Sequence, residues 1–189
     1  MQHAHSASSQ SSLTQHAQPA EHITAARFSR SDLFSSLTAQ LGISLKPELL
    51  ELAFTHRSFA YESGAKETNE RLEFLGDSVL GLIVTEELYL RYPDLDESRL
   101  SPLRSGIVNM RALADIARTL ELGKYIRLGK GEEVTGGRDK NSLLADALEA
   151  LIGAIYLECG FATTTTVVRT LINETLESAM AKGAGLDGK

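Results

Sequence analysis

Apolar residues recur at three- and four-residue intervals from Ser31 onward, the period of an amphipathic helix, and no stretch reads convincingly as a strand. Leu33, Phe34, Leu37 and Leu41 mark a first helix, between a cap at Ser29 or Ser31 and a stop at Gly42. Pro47 suits the first turn of a second, with Leu49, Leu50, Leu52 and Ala53, which runs into Phe54-Thr-His-Arg-Ser58. A polar loop from Glu62 to Thr68 precedes a long helix expected from near Thr68 to Arg91. Ser98 and Ser101-Pro102 then open a helix with Leu103, Ile107 and Val108, and another with Leu113, Ile116, Ala117 and Leu120 ends at Gly123. The glycine- and charge-rich stretch Gly129 to Asn141 reads as a mobile loop. Helices over Leu143 to about Glu158 and Thr163 to Met180 complete an all-α chain without internal repeats.

The long central helix carries an anomaly. Glu70, Glu73 and Asp77 stand at i, i+3 and i+7, within about 60° of one another around the axis. Leu72, Phe74, Leu75, Val79, Leu80, Leu82, Ile83 and Val84 surround them, so the helix should be buried. Buried carboxylates are costly without a partner, and no Lys or Arg shares their stripe. A divalent cation is the economical counter-charge. Asp146 and Glu149 repeat the pattern among Leu143, Leu144, Leu148, Leu151, Ile152 and Ile155. Gly76 and Gly81 each cost about 1 kcal/mol in a helix interior, which suggests that a backbone or ligand approaches there, and Gly153 allows close packing.

If the two stripes face each other, Glu73, Asp77, Asp146 and Glu149 offer oxygen-only ligation, which suits Mg²⁺ with Mn²⁺ as a substitute. One or two such ions would serve an in-line displacement at phosphorus. The bland alternative, solvated acids on ordinary amphipathic helices, weakens when both stripes are taken together. A di-iron bundle wants Glu-x-x-His pairs, which are absent.

Composition changes this picture little. The chain is 42% hydrophobic and 23% charged with net charge −6, which gives no global attraction to a phosphate backbone. One cysteine, Cys159, forbids an intramolecular disulfide. The longest apolar run, Ala147 to Leu157, is interrupted by Glu149 and too short for a bilayer, and no leader pattern stands at the N-terminus, so a cytoplasmic protein without membrane contact is expected. Residues 1–27, rich in Ser, Gln, His and Ala, read as a disordered polar tail whose histidines are too irregular for a metal site. The Gly129 stretch lacks the Gly-Lys-Ser/Thr ending of a P-loop. His56, beside an apolar helix, reads more readily as a hydrogen-bonded structural histidine than as a catalytic one.

Asn69-Glu-Arg-Leu-Glu-Phe-Leu-Gly-Asp-Ser78 resembles the signature of the ribonuclease III family residue for residue. Ala53-Phe-Thr-His-Arg-Ser58 is similar to the family's upstream motif, and Leu144-Ala-Asp-Ala-Leu-Glu-Ala-Leu-Ile-Gly-Ala154 to its second acidic helix. The resemblance covers about residues 30–180. It implies a nuclease domain over 28–181, and a homodimer that cleaves double-stranded RNA with Mg²⁺ to 5′-phosphate and 3′-hydroxyl ends with short 3′ overhangs. Processing of ribosomal and other structured RNA precursors is implied with it. By the same resemblance Glu73, Asp77, Asp146 and Glu149 are metal ligands, with Asp77 and Glu149 most critical to catalysis. Glu70 and Glu97 are supporting acids across the subunit interface, and Phe74 inserts into a pocket of the partner. Phosphate contacts are expected from Arg104, Arg138 and Lys140. Most bacterial members continue into a double-stranded-RNA-binding domain; residues 182–189 read as the start of a linker to one, as in a truncated chain. The rival expectation is a non-catalytic helical RNA-binding scaffold of the same fold, which would lack the acids.

Overall fold

The computed structural model describes residues 29–184; the expected polar tail, 1–27, and the last five residues of the expected linker lie outside them. Helix α1 (Arg30–Leu41) opens with a reciprocal cap, in which the Ser29 hydroxyl accepts from the Asp32 amide and Asp32 accepts from the Ser29 amide. It closes on Gly42 at φ 67°. Helices α2 (Pro47–Ala53), α3 (Arg57–Ser63), α4 (Glu70–Arg91), α5 (Glu97–Ile107) and α6 (Met110–Thr119) follow. After a 3₁₀ turn at Leu122–Lys124 come α7 (Lys130–Val134), a second 3₁₀ turn at Gly137–Asp139, and α8 (Asn141–Ala184), which is broken at Gly160. Among the described residues the sole β contact is an isolated bridge between Thr55 and Arg127, so the all-α expectation holds.

Helices α4 and α8 form the axis around which the rest packs. Leu80, Ile83, Val84 and Leu88 from α4 are buried with Leu144, Leu148, Leu151, Ile152 and Ile155 from α8. By length and composition α8 has a window apolar enough to cross a membrane. Many of its apolar residues, Leu144, Leu148, Leu151, Ile152 and Ile155 among them, lie in this core.

Where the two helices cross, no side chain separates them. A Cβ on Gly76 would stand 1.7 Å from the Glu149 carbonyl oxygen, and one on Gly153 would stand 2.4 Å from that of Leu72. The sequence therefore spends two glycines on one backbone-to-backbone contact. Gly81 is different: nothing lies within 4 Å of its hypothetical Cβ, so the close approach expected there is not made.

Three local expectations are corrected. Helix α5 starts at Glu97 under an Asp96 cap, and Pro102 lies inside it rather than at its opening. The stretch 129–141, expected to be an irregular mobile loop, contains α7 and a 3₁₀ turn. Helix α8 continues through Ala184, past the Met180 end and into the segment read as linker.

Candidate active site

The glycine crossing sets the position of the acids. Glu73 lies one turn before Gly76 on α4, and Asp146 and Glu149 lie on the facing turns of α8. Each offers one carboxylate oxygen within 4.8 Å of the others. All three are partly buried. Burial pushes the Glu149 carboxyl from 4.5 up to about 7, and the charges of Asp77, Asp146 and Glu73 push the same way. Glu73 is raised by burial, then by Asp146, Glu70 and Asp77. Asp146 is raised by burial and Glu70, while His56 and Arg57 oppose the shift. Crowded, partly desolvated carboxylates of this kind are poised to release protons to a hard cation.

The remaining expected residues distribute unevenly around this trio. Asp77 is exposed one turn beyond Glu73 and lies outside the 4.8 Å group, although its charge bears on both glutamates. Glu70 is exposed, accepts from the Thr68 hydroxyl at 2.9 Å and stands 3.9 Å from Arg57. Glu97 begins α5 and lines a separate groove with Arg104, so within one chain it does not join the trio. Phe74 is 79% exposed, which excludes a place in its own chain's core.

Arg104 is exposed. Arg138 turns inward, donating to the carbonyl oxygens of Gly123 and Ile126 at 2.9 and 2.7 Å and pairing with Glu133. Lys140 pairs with Glu132 and donates to the Thr135 hydroxyl at 3.0 Å. Both cations hold the 129–141 segment in shape. Periodicity had no means of bringing His56 and Arg57 to the site's edge. The local signal was Ser58, two residues after His56, whose amide donates to the imidazole Nδ1 that caps α3.

The sequence profile described as Ribonuclease-III-like matches residues 46–176, which contain every element of this site. The chain belongs to that family. Several relatives carry the name Ribonuclease 3. That of Thermobifida fusca is 58% identical over 149 residues, 79% of this chain and 62% of its own length. That of Streptomyces coelicolor is 57% identical over 153 residues, 81% of this chain and 55% of its own. The chain thus spans little more than half of these ribonuclease III relatives. Among solved structures, the nuclease domain of ribonuclease III from Campylobacter jejuni superposes with a TM-score of 0.70 at 43% identity, covering 75% of this chain and 97% of that one. Dicer from Pichia stipitis gives 0.56 at 28% identity, over 72% of this chain and 58% of its own.

For a member of the ribonuclease III family the donor set is chemically coherent. Carboxylate oxygens alone, converging from two rigid helices, suit a hard divalent cation, and their raised proton affinities give a bound cation protons to displace.

Proposed function

We propose that this chain is the nuclease part of an endoribonuclease that hydrolyses double-stranded RNA to 5′-phosphate and 3′-hydroxyl ends with short 3′ overhangs. The observation that carries this reading is the convergence of Glu73, Asp146 and Glu149 within 4.8 Å across the glycine contact. Glu73, Asp146 and Glu149 would hold Mg²⁺, or Mn²⁺ in its place, with Asp77 adding its charge from the open side. The bound ion would supply an activated water and stabilise the leaving 3′-oxygen. The chain's own part is positional: α4 and α8 fix the oxygens.

The same reading gives the chain a second copy as partner. Phe74, Leu82 and Tyr89 are exposed at 79, 58 and 70% and lie along one face of α4. The groove between α4 and α5, with a volume of ≈ 540 Å³, is lined by Leu88, Tyr92, Leu95 and Leu100 and carries Glu97 and Arg104 on its rim. A homodimer would seat Phe74 of each protomer in that groove of the other and bring Glu97 toward the partner's acids. Arg104, exposed on the same rim, serves as the RNA phosphate contact, whereas Arg138 and Lys140 serve the fold.

Cleavage of an end-labelled RNA duplex at low salt tests the reading. Cutting in Mg²⁺ that stops in EDTA and leaves 5′-phosphates is the expected result. A duplex that is bound in Mg²⁺ but never cut would leave the non-catalytic scaffold instead.

A further inference from the structure

A trio of carboxylates flanked by Glu70 and Asp77 repels the phosphates of any RNA brought against it, so the site needs cationic or neutral donors at its edge. Most nearby cations are already committed. Arg127 bonds the Thr55 hydroxyl and pairs with Glu51 at 3.2 Å, and Arg138 and Lys140 are held as described. Arg57 is not: its side chain is 75% exposed, and its ion pair with Glu70, at 3.9 Å, is a loose one.

The segment carrying it is fastened to the site. The Asn69 amide donates to the Thr55 carbonyl at 2.9 Å, and the Asn69 side chain to that of Ala53 at 3.2 Å. The backbone just before His56 is therefore stitched to the start of α4, where Glu70 and Glu73 stand. On its other side the His56 amide donates to Arg127.

The imidazole is set in one tautomer. The Gly129 amide donates to Ser58 Oγ at 2.9 Å, which leaves the hydroxyl hydrogen free to point at His56 Nδ1, 2.7 Å away. The Ser58 amide also donates to Nδ1, at 3.2 Å. Nδ1 is thus an acceptor, and the ring proton resides on Nε2. Burial holds the imidazole below its ordinary pKa, and Arg57 pushes the same way against the opposing charges of Glu132, Asp146 and Glu70. Among the described residues no acceptor meets Nε2.

We propose that His56 and Arg57 contact substrate phosphate at this site, donating from imidazole Nε2–H and guanidinium to an RNA phosphate beside Glu70 and Glu73. This rests on the nuclease reading above. Neither residue moves a proton or breaks a bond; both hold the strand against the acids.

The test uses the 189-residue chain with a labelled RNA duplex. Single-turnover cleavage is followed in Mg²⁺ and duplex binding in Ca²⁺, for the parent, Arg57→Gln and His56→Asn. Asparagine is a good N-cap, so its Oδ1 replaces Nδ1 in capping α3 while the far donor is lost. Each variant is expected to lose about tenfold or more in rate at subsaturating RNA, because a charge-assisted hydrogen bond disappears. Melting temperature and the Mg²⁺ concentration for half-maximal rate should stay put. Arg57→Gln should also lower the salt dependence of binding by about one counterion. Rates within twofold of the parent overturn the proposal and leave the nuclease reading standing, and so does a loss that tracks melting temperature. A parent chain that neither cuts nor binds duplex overturns both.

Discussion

The α4–α8 crossing and the 129–141 segment are both dense in charge, and the fold treats them oppositely. At the crossing, acids gather without being neutralised: Glu149 is pushed to about 7 by burial and three other carboxylates. In the 129–141 segment nearly every charge has a local partner, with Arg138 on Glu133 and two carbonyls and Lys140 on Glu132. One region stores electrostatic free energy that a ligand can release, and the other has already released it into its own folding. Charge density along a sequence therefore says little about function until it is known which charges are satisfied internally.

Glu149→Gln probes the unsatisfied region with the largest effect. Loss of an anionic ligand should slow RNA cleavage by about a thousandfold or more in single-turnover assays. The same substitution should raise the melting temperature of the metal-free protein at pH 8, because a neutral amide removes a destabilising charge. If the variant is instead less stable in EDTA, the claim of stored repulsion is wrong. Gly76→Ala attacks the contact beneath it. A Cβ 1.7 Å from the Glu149 carbonyl oxygen forces the helices apart, for a loss of about 3 kcal/mol or more in denaturant unfolding. Gly81→Ala, facing open space, should be neutral or mildly stabilising.

In the satisfied region, Arg138→Gln strands two backbone carbonyls and should cost about 1–3 kcal/mol while leaving the salt dependence of RNA binding unchanged. Arg104→Gln should do the reverse: little change in stability, and a salt slope smaller by about one. Interchanged outcomes would mean that the two regions had been assigned backwards.

A further effect is on pH dependence. In the folded chain the Glu149 carboxyl keeps its proton up to about pH 7, whereas in the unfolded chain it is lost near 4.5. Between those values the folded state binds more protons, so stability falls as pH rises through that window and levels above it. Glu73 and Asp146, also raised, add in the same direction. In EDTA the melting temperature should be higher at pH 5.5 than at pH 8; Mg²⁺ should flatten the difference by raising the pH 8 value more.

These regions also mark where sequence reasoning succeeds. Helices α4 and α8 were legible because apolar residues repeat with helical period over many turns and the intruding acids break the pattern at regular intervals. The Gly76–Gly153 contact was partly legible, since a glycine inside a buried helix wants a reason; Gly81 gave the same signal with no contact behind it. The 129–141 segment was not legible. Its helix lasts five residues, and its order depends on Arg138 reaching Gly123 and Ile126, bonds that no local pattern encodes. His56 and Arg57 stood out in the sequence, His56 as a structural or catalytic candidate and both within the Ala53–Ser58 motif, but their location did not. Their place beside the acids depends on Asn69 and Arg127 holding Thr55 and His56, contacts that span 14 and 71 residues of chain.

The glycine contact has a consequence for how such a site can change over generations. Backbone against backbone acts as an index pin: it fixes the height of α8 along α4 without using any side chain. The leucines and isoleucines around it can then be exchanged, at some expense in stability, without sliding the carboxylates out of alignment. Mutational drift in the core and selection on the chemistry become largely separable, and the two positions tying them together are the pair of glycines at the crossing.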